Sequence, residues 1–203
     1  MVHIIDYGAG NLGSILNMMK RIGSEAILVS NPKDLVNATK IILPGVGHFD
    51  HGMKELNKSG MVELLNEKVL NEKVPILGIC LGAQMMCKGS EEGSLEGLSW
   101  FDAEVKKFNF ESANNLRVPH MGWNYVKQMK NSVLSENMLE DSRFYFVHSY
   151  HIVANEENDV LFKTNYGYDF ASGLQHQNRF ACQFHPEKSH KFGIQMFKNF
   201  ATI

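Results

Sequence analysis

Through the first half of the chain, short apolar runs alternate with stretches of helical period. Runs at Val2–Ile5, Ala26–Val29, 40–43 and 75–79 are rich in β-branched residues and lack polar alternation, as expected of strands covered on both faces. Between them, Leu12, Ile15, Leu16, Met19 and Ile22 recur at helical spacing, as do Met61, Leu64, Leu65 and Val69, so each stretch predicts an amphipathic helix. Strand–helix alternation of this kind predicts an α/β sheet with helices packed on its faces. From about Ala103 the texture changes to shorter strand-like runs, AEVKKF, WNYVKQ, RFYFV, YHIVA, VLFKT and RFACQF, separated by Asn, Gly and Asp clusters. These predict hairpins or a mixed extension of the sheet. A closing helix places Phe192, Met196, Phe197 and Phe200 on one face. No repeat or linker interrupts the pattern, and residues 1–203 read as a single domain.

Composition narrows the classes of function. A net charge of −2 gives no electrostatic case for nucleic acid or an anionic membrane. No apolar run approaches the roughly 20 residues of a membrane span, and no secretory leader pattern opens the chain. The 3 cysteines, Cys80, Cys87 and Cys182, are too few and too odd in number for a disulfide framework, and a reducing cytoplasmic setting is expected.

The stretch DYGAGNLG fits G-x-G-x-x-G through Gly8, Gly10 and Gly13. A dinucleotide site also needs an acidic residue near the end of the second strand to hold the ribose. Here that strand runs out into Ser30, Asn31 and Pro32, and the next acid, Asp34, lies beyond the proline. The glycines are accounted for by a tight strand-to-helix turn with Asn11 as a candidate N-cap, and no cofactor is expected.

The stronger chemical signal is VPILGICLGAQMM, in which Gly78-Ile79-Cys80-Leu81-Gly82 leads from an apolar strand into a helix pattern. This is the form of a nucleophile elbow with cysteine in place of serine. The glycines permit the strained turn, the helix N-terminus behind it favours a thiolate, and the Leu81 N–H faces any oxyanion formed at the attacked carbon. Taken alone, the pattern fits a buried cysteine in a Gly-rich turn about as well. A second segment, CQFHPEKS, places His185 and Glu187 two residues apart after another strand-like run. A thiol nucleophile needs such a base, and the base needs a carboxylate to fix its tautomer; Pro186 between them stiffens the pair. A third, LPGVGHF, sets Gly45, Val46 and Gly47 after a strand. Its backbone N–H groups are candidates for an oxyanion hole, although a flexible exit loop would look the same.

Gly78-Ile-Cys-Leu-Gly-Ala-Gln84 and His185-Pro-Glu187 together resemble the class I (triad) glutamine amidotransferases. IIDYGAGNLGS, LPGVGHF, VPHMGWN, FYFVHSY and QFHPEKS narrow the likeness to the branch that serves a (βα)8-barrel cyclase, and the resemblance runs from residue 3 to 200. It implies a doubly wound, mixed or mostly parallel sheet with helices on both faces. It further implies that Cys80 attacks the glutamine side-chain amide, His185 acts as base and acid, and Glu187 orients it. Gly45, Val46, Gly47 and Leu81 match oxyanion-hole segments, and Gln84, Glu92, His148, Ser149 and Tyr150 match positions that contact glutamine. Asn11, Met121, Trp123 and Lys188 match the face turned toward the cyclase. In that setting ammonia passes to the partner, which forms imidazole glycerol phosphate and an aminoimidazole carboxamide ribotide for histidine synthesis.

Spacing and composition do not name the acyl donor or the acceptor; both come from the resemblance. Ala83, and His190-Lys191-Phe192 where a glycine often follows the serine, depart from the pattern and also suit relatives that aminate surface-polysaccharide sugars. A free thiol hydrolase or peptidase and a catalytically silent binding subunit are the alternatives from other classes. His48-x-x-His51 and His148-x-x-His151 carry no accompanying carboxylate or cysteine ligands, so no metal is expected.

Overall fold

A computed structural model describes residues 1–110 and 116–203. In chain order the elements are β1 (Val2–Ile5), α1 (Leu12–Arg21), β2 (Ala26–Val29), β3 (Ile41–Leu43), α2 (Phe49–Lys58), α3 (Val62–Asn66), β4 (Ile76–Ile79), α4 (Leu81–Met85), β5 (Ala103–Lys107), β6 (His120–Tyr125), β7 (Lys127–Gln128), β8 (Arg143–His148), β9 (Tyr150–Ala154), β10 (Val160–Tyr166), β11 (Tyr168–His176), β12 (Arg179–Cys182) and α5 (His190–Thr202).

The main sheet has the order β2-β1-β3-β4-β12-β11-β10-β7. The pairings from β2 to β12 are parallel, and those beyond β12 are antiparallel. β9 branches from β11 and carries β5, while β6 and β8 form a separate two-stranded sheet. The α/β architecture with a strand-rich second half is thus the one expected, and the antiparallel part joins the parallel part through β12.

Alternation along the parallel strands feeds two cores. Ile4, Ile42, Leu77 and Phe180 face α1 and α5, packing with Ile15, Met19, Met196, Phe197 and Phe200. Ile5, Ile41, Leu43 and Ile76 face the other layer, packing with Phe49, Met53, Leu56 and Leu65. Helices therefore cover both faces, which is why these strands read as continuous apolar runs. Among the described residues, no helix is long and apolar enough to cross a membrane.

Several boundaries differ from the sequence expectation. The helical stretch around Met61–Val69 is α3 followed by a π-helical turn, Glu67–Asn71. WNYVKQ is not one strand: β6 begins earlier, at His120, and pairs with β8, whereas β7 pairs with β10. Asn11 occupies the N-cap position of α1, but its side chain makes no capping bond; only its carbonyl serves, accepting from Ile15. Gly8 and Gly10 do take positive φ, at 89° and 124°, consistent with a tight turn.

Candidate active site

The chemistry-bearing side chains sit where two neighbouring parallel strands end. β4 and β12 pair in register, with Ile79 opposite Cys182, and the Cys80 N–H continues the ladder onto the Cys182 carbonyl at 2.8 Å. Cys80 then turns sharply, at φ 53° and ψ −110°. A non-glycine residue holds such a conformation only where its surroundings enforce it.

The enforcement is steric. A Cβ on Gly82 would overlap the Leu43 carbonyl oxygen, and one on Gly78 would overlap Met86 Sδ. A Cβ on Gly45 would stand 2.7 Å from both the Gly82 nitrogen and the Tyr7 hydroxyl. The elbow is therefore pressed against the loop after β3, and the three glycines are what allow it. Cys80 keeps 7% exposure there.

His185 leaves β12 three residues after the strand ends and is 1% exposed. Its N–H donates to the Tyr145 carbonyl at 2.9 Å, and Ser189 Oγ donates to its carbonyl at 2.6 Å. Pro186 opens a 3-10 turn that brings Glu187 back beneath the ring. Nδ1 lies 2.7 Å from Glu187 Oε1, and both side chains are nearly inaccessible. Burial opposes a charge on this imidazole, but the Cys80 sulfur and the Glu187 carboxylate outweigh it and hold His185 up to about 10. The arrangement favours an imidazolium beside the Cys80 sulfur. α4 spans only Leu81–Met85, so its dipole is short and His185 is the principal cation facing the sulfur.

The other two thiols differ. Burial pushes Cys87 up to about 12. Cys182 is raised well above the ordinary range by burial, then by the charges of Glu187 and Cys80. Both are small buried groups whose sulfurs contact backbone carbonyls.

The oxyanion-hole candidates lie together but are not assembled. The Leu81 N–H donates to the Gly45 carbonyl at 3.3 Å, so an acceptor occupies the donor expected to face the oxyanion. Val46 and Gly47 are exposed, with Gly47 at φ 101°. Tyr7 Oη donates to the Pro44 carbonyl at 2.8 Å and pins the start of this loop.

Of the residues expected to contact glutamine, Gln84, His148 and Tyr150 form one network. Gln84 Nε2 donates to the Tyr150 carbonyl at 3.1 Å, and His148 Nδ1 lies 2.7 Å from the same oxygen. Ser149 lies between them, partly exposed. Glu92 is engaged elsewhere: Oε2 accepts the Phe49 N–H at 2.9 Å at the start of α2. Three of the four histidines of the two H-x-x-H patterns are also engaged: His48 Nδ1 accepts from Asp50, His148 Nε2 meets His120 Nδ1 at 3.0 Å, and His151 Nε2 meets the Tyr168 hydroxyl at 2.9 Å; His51 is exposed.

On β6, alternation turns His120 inward and Met121 and Trp123 outward, at 62% and 45% exposure. Lys188 is exposed, its Nζ over the Tyr145 ring, and Asn11 is partly exposed. His190 stacks on Trp123 at 5.3 Å with rings nearly parallel. It has φ 44°, so the position where a glycine is common does need glycine-like backbone.

Sequence reasoning missed Gln183. It is completely buried, its Nε2 lies 3.8 Å from Cys80 Sγ, and its Oε1 accepts from Gln84 Nε2 at 3.0 Å. A glutamine one residue past a strand carries no pattern that marks it; only its proximity to H-x-E could have drawn attention.

The family model for class-I glutamine amidotransferase matches residues 3–203. The chain is 49% identical to imidazole glycerol phosphate synthase subunit HisH 2 of Methanococcus maripaludis, covering 98% of each chain. It is 48% identical to the subunit HisH 2 of Pseudomonas aeruginosa over the full length of both. A crystal structure of a glutamine amidotransferase aligns with TM-score 0.75 at 19% identity, covering 100% of this chain and 99% of that one, a likeness of fold alone.

Proposed function

The chain belongs to the class I glutamine amidotransferases, and from that premise we propose that it is the glutaminase subunit of an imidazole glycerol phosphate synthase. It hydrolyses glutamine to glutamate in the cytoplasm and delivers ammonia to a (βα)8-barrel cyclase. The observation that carries the chemistry is Cys80, held at positive φ on a strand-end elbow beside the buried His185–Glu187 pair. The pathway rests on full-length relatives at 49% and 48% identity whose names place them in that synthase.

In this reading the Cys80 thiolate attacks the side-chain amide carbon of glutamine. The oxyanion collapses as His185 gives its proton to the departing nitrogen, and ammonia leaves. A water then loses a proton to His185 and attacks the γ-glutamyl thioester, releasing glutamate and restoring the ion pair. Glu187 keeps Nδ1 protonated throughout and the ring in plane. Gln84 and the His148–Tyr150 stretch receive the amino-acid end of the substrate, joined by Glu92 through the carboxylate oxygen that does not hold the Phe49 N–H. Asn11, Met121, Trp123 and Lys188 meet the cyclase.

The oxyanion needs a donor that is now occupied. Leu81 N–H is held by the Gly45 carbonyl, so turnover requires the Gly45–Val46–Gly47 backbone to rotate that carbonyl away. The isolated chain is therefore a poor glutaminase, and partner binding with acceptor present raises its turnover. The test is glutamate release with and without the cyclase, repeated with Cys80→Ser, together with rescue of histidine-free growth in a strain lacking its own glutaminase subunit. Loss of turnover in Cys80→Ser and growth rescue support the reading. Turnover surviving the substitution overturns the nucleophile. Intact turnover without rescue overturns the histidine pathway in favour of another acceptor, such as a surface-polysaccharide sugar.

A further inference from the structure

Around Cys80, one hydrogen-bond chain has its direction dictated by a single backbone atom. The Tyr150 carbonyl can only accept, and it takes bonds from Gln84 Nε2 at 3.1 Å and His148 Nδ1 at 2.7 Å. Gln84 must therefore present its amide nitrogen, not its oxygen, to Tyr150. The same nitrogen lies 3.0 Å from Gln183 Oε1. Reversing the Gln183 amide would set one NH2 against another, so the oxygen must face Gln84 and the NH2 must face the sulfur. Gln183 is completely buried, and its Nε2 lies 3.8 Å from Cys80 Sγ.

We propose that Gln183 is a positioning residue for the nucleophile: its side-chain N–H is held on Cys80 Sγ, stabilising and aiming the thiolate, with its polarity imposed through Gln84 by the Tyr150 carbonyl. This rests on Cys80 being the nucleophile of the glutaminase reading. Donation from a fixed amide favours the sulfur as an acceptor, which is the thiolate. It also restricts the sulfur's swing, because the strained backbone at Cys80 fixes Cβ on one side and Gln183 fixes Sγ on the other. When the thiolate attacks, its electron pair forms the C–S bond and the hydrogen bond from Gln183 weakens. When the thioester breaks, the pair returns to sulfur and the bond is restored. Gln183 thus acts on the free thiolate at both ends of the cycle, without itself transferring a proton.

The same chain links substrate capture to the nucleophile. Gln84 spends both N–H groups on Tyr150 and Gln183, which leaves its Oε1 to face an incoming donor such as the substrate ammonium.

The experiment is alkylation of Cys80 by iodoacetamide as a function of pH, on the full chain, with the adduct located by mass spectrometry. Titratable groups facing the sulfur are His185, Tyr7 and Cys182, with Glu187 behind His185. All are retained in the variants. Gln183→Leu, which removes the donor, raises the alkylation midpoint by about one pH unit, the size expected from losing one hydrogen bond to a charged group. Gln183→Glu, which replaces the donor with a carboxylate, raises it further. With the cyclase present, both lower kcat more than they change KM for glutamine. A second measurement needs no change at Gln183: its side-chain amide proton resonance shifts when Cys80 is alkylated. A midpoint within a few tenths of a unit of wild type in a folded Gln183→Leu overturns the proposal, as does an amide resonance indifferent to the state of Cys80. Absence of glutamine turnover by the wild-type complex overturns the glutaminase reading instead, and the alkylation midpoints still decide the role of Gln183.

Discussion

The parallel side of the sheet and its antiparallel wing contribute to the site by opposite means. In β1, β3, β4 and β12 the strands are short, largely buried on both faces and joined by tight exits, and geometry there is set by atoms that are missing. Gly78, Gly82 and Gly45 let backbone meet backbone where a methyl group would overlap, and Cys80 is bent to positive φ by that contact. The wing contributes through groups that are present. Phe108, Phe146 and Phe170 pack around His120, His148 and His151, and the ring nitrogens pass hydrogen bonds toward Tyr150 and Gln84. Close approach tolerates no substitution, whereas a polar network tolerates substitution but responds to protons.

The sharpest way to break this contrast is at Gly82. Gly82→Ala forces a Cβ into the Leu43 carbonyl between two pieces of rigid backbone, and a loss of about 3 kcal/mol or more is expected. Urea unfolding of the variant measures it. A loss below about 1 kcal/mol would mean that the loop after β3 yields easily and the elbow is not held by contact.

The wing should show its own signature in acid. Burial lowers His120 to about 4 and His148 to about 3, from an ordinary 6.5. Because the folded values lie below the unfolded one, the unfolded chain binds more protons as pH falls. Their contribution is complete above about pH 6.5 and is lost progressively as pH drops toward the folded values. Each costs roughly 2 kcal/mol by about pH 4.5. Unfolding free energy measured across this range should fall less steeply in His148→Gln than in the wild type; equal slopes would contradict the assignment.

The smallest effect on the fold belongs to the outward face of β6. Trp123 is half exposed and rests on His190, so Trp123→Ala changes stability by no more than about 0.5 kcal/mol. As an exposed aromatic on the proposed partner face it should nonetheless weaken cyclase binding by about 2 kcal/mol, read by titration calorimetry. Unchanged affinity would move the interface off β6.

These differences also explain what could be read from the sequence. β1, β3 and β4 were legible because burial on both faces writes an uninterrupted apolar run, whereas β12 reads with the mixed extension and is in fact parallel to β4; the elbow was legible because close approach writes glycines at fixed offsets from Cys80. The face of α5 was legible through Phe192, Met196, Phe197 and Phe200, all buried. α2 is not among the elements expected: Phe49, Met53 and Leu56 have helical spacing, but the stretch is read only for His48 and His51 as possible metal ligands. β11 was passed over too, although it pairs with β9, β10 and β12. Its sequence YDFASGLQH has small residues at its centre because Phe162 packs over Gly173, so its strand character comes from neighbours distant in sequence. Gln183 and the engagement of Leu81 by Gly45 were hidden for a similar reason. Both are contacts between segments that no local pattern connects.

That the nucleophile and the base leave adjacent, hydrogen-bonded strands also fixes an order of wear on heating. Their spacing is a lattice dimension of the sheet, renewed by each rung from Gly78 opposite Ala181 to Cys80 on Cys182, and it persists as long as the sheet does. The loop at Gly45 to Gly47 has no such backing, and β6 is paired with β8 alone in a sheet of two strands; both open at lower free-energy cost. As temperature rises the molecule should first lose its response to a partner, next its grip on substrate, and last the alignment of Cys80 with His185. A heat-worn sample would then still react with a small electrophile at Cys80 after it had ceased to answer to the cyclase.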